Sequence, residues 1–116
     1  MAVAVPEGWI VRGDLPLTSA LEASVDELAH FDEDLLMVIA PFDGASLDVG
    51  WFPAARRDGN FVCRMVLDDE WERPIEWLIT PSVTTVRHWV ESSIARWEAQ
   101  RGTPLRLSYF AQPSWR

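Results

Sequence analysis

Nucleophilic catalysis in this chain would have to begin at its single thiol, Cys63, with His30 or His88 as the base, because no other cysteine or histidine is present. Cys63 alternates with Phe61 and Met65, so the spacing makes it an inward-facing strand residue that packs as a small apolar group. His88 directly precedes Trp89 in a helical pattern. His30 closes a shorter helical stretch, where the negative end of the dipole suits a cation. Both read as structural. The run Asp32-Glu33-Asp34 offers oxygens to a hard cation, but it lacks the glycine and the terminal glutamate of a calcium loop, and neither His-x-His nor Cys-x-x-Cys occurs. A solvated charged turn is the expectation there. Phosphate-cradling glycine loops and the G-x-S-x-G elbow are missing, and no spacing singles out a pair among the eighteen carboxylates. The chain therefore reads as a non-enzyme without cofactor or metal.

Composition narrows the partners. The chain has 116 residues, a size that supports one domain over 1–116 with a real core. Hydrophobic residues make up 48% and seven are tryptophan, which favours folding over disorder. The formal net charge is −8, and all ten basic residues are arginine. Nucleic acid and anionic membranes demand a concentrated basic stripe, so neither is an expected partner; a basic protein is the natural complement. A lone cysteine, the lack of a leader-like pattern at the start and the shortness of the run Leu35–Pro41 suit a reducing cytoplasm and no membrane span.

The elements that would position these residues follow from periodicity. Gly8–Arg12 reads as a strand ended by Gly13-Asp14 and Pro16. A helix is expected from about Ala20 to His30, with Ser19 and Glu22 as its capping box and Leu21, Val25 and Leu28 as its buried stripe. The unbroken apolarity of Leu35–Ala40 suits a central strand covered on both faces. Asp43-Gly44 is a two-residue hairpin turn leading into Leu47–Phe52, where Leu47, Val49 and Trp51 face one way and Asp48 and Gly50 the other. Phe61, Cys63, Met65 and Leu67 share a face of the strand Asn60–Leu67. A fourth meander strand, Ile75–Ile79, lies at an edge with Ile75, Trp77 and Ile79 opposite Glu76.

The longest helix spans about Ser82 to Arg101, started by Thr80-Pro81-Ser82, stopped by Gly102 and Pro104, and striped by Val86, Trp89, Val90, Ser93, Ile94 and Trp97. A last strand, Leu105–Phe110, carries Leu107 and Tyr109 on one face, and the tail after Gln112 is loose. The expected fold is α+β: a mostly antiparallel sheet of five to six strands with two helices packed on one face.

What remains for function is the surface. The loop Asp68–Arg73 sets Trp71 among Asp68, Asp69, Glu70 and Glu72, and a large aromatic in a charged loop is either an interface anchor or a lid over the sheet edge. Asp48-x-Gly50-Trp51-Phe52-Pro53, then Gly59-x-Phe61, then Trp71-Glu72-x-Pro74, resembles the immunity proteins of bacterial contact-dependent growth inhibition systems. The resemblance implies a small cytosolic monomer that binds the toxin domain of a sister cell's effector one to one. That toxin is often a basic nuclease, and the immunity protein blocks its active site or substrate path. It specifies no interface residue. Gly50, Trp51 and Pro53 also have structural reasons, as a close-packing point, an inward side chain and a strand stop. Toxin binding is therefore expected on the acids and their aromatic: Asp32, Glu33, Asp34, Asp68, Asp69, Glu70, Trp71 and Glu72. Two other classes stay open, an adaptor or subunit of other bacterial machinery and a small enzyme with an unrecognised site.

Overall fold

A computed structural model describes residues 2–42 and 44–100. Its elements are β1 (Ile10–Gly13), α1 (Val25–Leu28), β2 (Leu36–Ile39), β3 (Ala45–Phe52), β4 (Asn60–Leu67), β5 (Glu76–Thr80) and α2 (Val83–Gln100). The five strands form one antiparallel sheet in chain order, β1-β2-β3-β4-β5, and α2 packs on β4 and β5. The α+β arrangement is thus as the periodicity indicates. The expected strand Leu105–Phe110, the helix stop at Gly102 and Pro104 and the tail lie outside the described residues, as does Asp43.

Register sorts the sheet into two faces. Leu36 pairs with Val49, Val38 with Leu47, Val49 with Cys63 and Trp51 with Phe61, so these side chains line one side. All are 3% exposed or less and belong to one hydrophobic cluster with Val86, Val90, Ile94 and Trp97 of α2. Full burial of Val86, Val90 and Ile94 stabilises the packing by about 1.5–3 kcal/mol each. Phe31 completes this layer, edge-on to Trp51 with ring centroids 5.2 Å apart, while Trp51 is edge-on to Phe61 at 4.8 Å. The N-terminal segment lies along α2, with Ala4 N–H donating to Glu91 and Trp9 Nε1 donating to Glu98, both at 2.9 Å.

Several expectations are corrected. The first helix is one turn, Val25–Leu28, and its capping box is Ser24 with Glu27. At Ser19 the chain only turns, its carbonyl accepting from Glu22 and Ala23 N–H. Leu21 and Val25 are therefore exposed, and Ala20, Ala23 and Phe31 are buried instead, with only Leu28 of the expected stripe packed against the core. The strand shielded on both sides is β3, buried from Ala45 to Trp51, whereas Met37 and Ile39 of β2 are half-buried. Ala40 N–H donates to Ala45 C=O at 2.9 Å, which closes the β2–β3 connection. In β5 the facing is inverted: Leu78 lies opposite Cys63 and packs on the core, while Trp77 and Ile79 are exposed. α2 matches its predicted stripe, and Ser82 Oγ accepts the N–H of Thr85 as its cap.

Candidate protein interface

The second face of the sheet holds the polar residues of the strands. Arg12 pairs with Met37, Met37 with Asp48, Asp48 with Arg64 and Arg64 with Trp77, which makes one continuous row across all five strands. At its centre Arg64 Nη2 donates to Asp48 Oδ2 at 3.2 Å. Asp48 is only 9% exposed, and burial raises its carboxyl above the usual value, opposed by Arg64 and assisted by the nearby charge of Asp34. Arg64 Nε is buried without a hydrogen-bond partner. Its guanidinium carbon sits 5.6 Å from the ring centre of half-buried Trp71, a cation–π contact that draws the ring back onto the sheet.

The corner Asp32–Asp34 crosses the β3 end of this face. Asp32 C=O accepts from Trp51 N–H at 2.8 Å, and Leu35 N–H donates to Val49 C=O at 3.0 Å, so the corner is held as an extension of β2. A Cβ at Gly50 would collide with the carbonyl oxygen of Glu33 and meet the Phe52 ring at 2.9 Å. Glycine at position 50 is what lets the acidic corner lie this close. Asp34 N–H is held by Asp32 Oδ1 at 2.9 Å, and Asp34 shares a small cleft with Arg12, Met37 and Asp48.

The second acidic segment leaves the opposite end of β4. Asp68 and Asp69 both have positive φ, 53° and 58°, and Glu70 N–H donates to Leu67 C=O at 3.0 Å, the pattern of a type I′ turn. Asp68 N–H also donates to Gly44 C=O at 2.8 Å. The eight predicted site residues thus form two groups at opposite ends of β3 and β4, each bordering the same face, with Trp71 lying over it. Asp32, Glu33, Asp34, Asp68, Asp69, Glu70 and Glu72 are exposed. Sequence reasoning missed Asp48 and Arg64; both stand at polar positions of alternating strands, and only the pairing register makes them neighbours.

Elsewhere chemistry is scarce. Cys63 is fully buried, and its thiol is pushed up to about 12, first by desolvation and then by the charge of Asp48. Among the described residues no group of three or more His, Cys, Asp or Glu side chains is placed to hold a metal ion. No helix among them is long and apolar enough to cross a membrane. Arg57 donates to Ala20 and Ala23 C=O at 2.8 and 2.6 Å, and Trp51 Nε1 donates to Arg56 C=O at 2.7 Å, so the arginine loop fastens the 20–23 turn over the core. His30 borders a mostly apolar cleft of about 320 Å³ with Asp14, Glu27 and Phe31. No protein-family model, curated protein or solved structure matches the chain.

Proposed function

We propose that this chain is an immunity protein that binds a basic toxin domain of the nuclease type and blocks its active site or substrate path. The observation that supports this reading is the convergence of two acidic segments, distant in sequence, on the margins of one sheet face. Exposed carboxylates arranged this way present a negative surface to a cleft built for phosphates, and charge complementarity of that kind speeds encounter and rejects acidic competitors. The reading also makes the chain non-catalytic and cytoplasmic, acting one to one. Its only thiol is protonated and enclosed, consistent with action by occupancy alone.

The test is co-expression with the C-terminal domain encoded by the open reading frame directly upstream, since an immunity gene must accompany its toxin. Growth is expected to be arrested by that domain alone and restored by this chain, with a stable complex recovered on copurification. A domain that is not toxic, or whose toxicity this chain leaves unchanged, overturns the reading.

A further inference from the structure

Resting on that reading, we infer that the apolar patch of Phe52, Val62 and Ile79 on the second sheet face seats the basic partner, and that the acids on its margins govern encounter. Gly50 pairs with Val62 and Val62 with Ile79, so these three positions form one row across β3, β4 and β5. Phe52 stands two residues beyond Gly50 on the same side, with its ring turned toward that glycine. Ile79 is 54% exposed and Phe52 36%, and Val62 between them is half-buried. Toward the other end of the face Ser46 and Val66 are shielded. Apolar exposure on the central strands is therefore concentrated at the Phe52 end.

Charge selects the occupant. Glu33 crosses beside Gly50 on one margin, and the next row holds Arg64 beneath Trp71, from which the loop of Asp69, Glu70 and Glu72 extends. A second copy of this chain would bring acidic margin against acidic margin, which is repulsive, whereas a basic partner meets the acidic corner beside the patch and the acidic loop at the far end of the same face. An apolar centre with charged residues farther out on the same face is the usual anatomy of a binding surface, with the centre setting dissociation and the rim setting association.

The experiment uses the full chain and the upstream-encoded toxin domain, with association and dissociation rates measured for Phe52→Ser and Ile79→Ser beside a rim variant, Asp69→Gly with Glu72→Gln. Each serine variant is expected to speed dissociation about tenfold or more, with association nearly unchanged and with the melting temperature held. The rim variant is expected to slow association instead. Unchanged dissociation in both serine variants overturns the inference while leaving the immunity reading standing; failure of the unsubstituted chain to form any complex overturns both. A melting temperature lowered by both serine variants without a change in dissociation assigns the patch to the chain's own fold. A dimer in light scattering that Ile79→Ser dissociates assigns it to a second copy, and either result overturns the inference.

Discussion

Asp68 and Asp69 show how one residue type serves two ends. Both occupy left-handed backbone, where a Cβ is unfavourable and aspartate is among the better-tolerated side chains. Their identity is therefore explained by the turn as well as by charge, and a conventional alanine scan would confound the two. At Asp69, alanine keeps the strained φ and loses the local tolerance, while glycine relieves it. Asp69→Ala is expected to cost about 1 kcal/mol of stability relative to Asp69→Gly, read as a shift in the urea midpoint. Equal midpoints for the two variants would show that the turn does not depend on this residue. Either way Asp69→Gly is the cleaner probe of the charge, because it removes the carboxylate without adding strain.

Among the elements, legibility followed the length of the pattern. α2 repeats its apolar stripe over five turns, and its start and buried face were readable from the Pro81-Ser82 signal and the spacing. The first helix was not, because Ser-x-x-Glu occurs twice, at Ser19 and Ser24, and both copies satisfy the same local rule. Arg57, bonded to Ala20 and Ala23 C=O, stabilises the first as a turn, and no window around residue 20 contains that long-range partner. In β5, apolar residues stand on both sides of the strand, so alternation could not choose a face; pairing with β4 does, by setting Leu78 against Cys63. The acidic segments were legible as surface turns, but their meeting on one face depends on register. Leu78→Ala is accordingly expected to cost about 2 kcal/mol or more, and Ile79→Ala under about 1 kcal/mol. Chemical denaturation of both variants checks the order, and the reverse order would mean that β5 presents its other side to the core.

At the scale of the whole molecule, salt should act on folding and on binding with opposite signs. A net charge of −8 sets like charges against each other in the compact state. Among the described residues the ion pairs that oppose this are mostly at the surface: Arg56 with Asp58, Arg87 with Glu91 and Arg96 with Glu76. Pairs of this kind contribute about 0–1 kcal/mol each and are themselves screened. The pair of Arg64 with Asp48 is less exposed and less sensitive. Screening therefore removes more repulsion than attraction within the chain, and the melting temperature is expected to rise as sodium chloride increases from about 0.01 to 0.5 M, over which the Debye length shrinks several-fold from about 30 Å. Association with a basic toxin domain is expected to slow over the same range, because the acidic margins act on the partner through that field before contact is made. Dissociation, set by the apolar row, should change little. Calorimetry and rapid mixing on the same protein measure both trends. A melting temperature that falls with salt would mean that the pairs outweigh the repulsion, and an association rate that ignores salt would remove the acidic segments from the encounter.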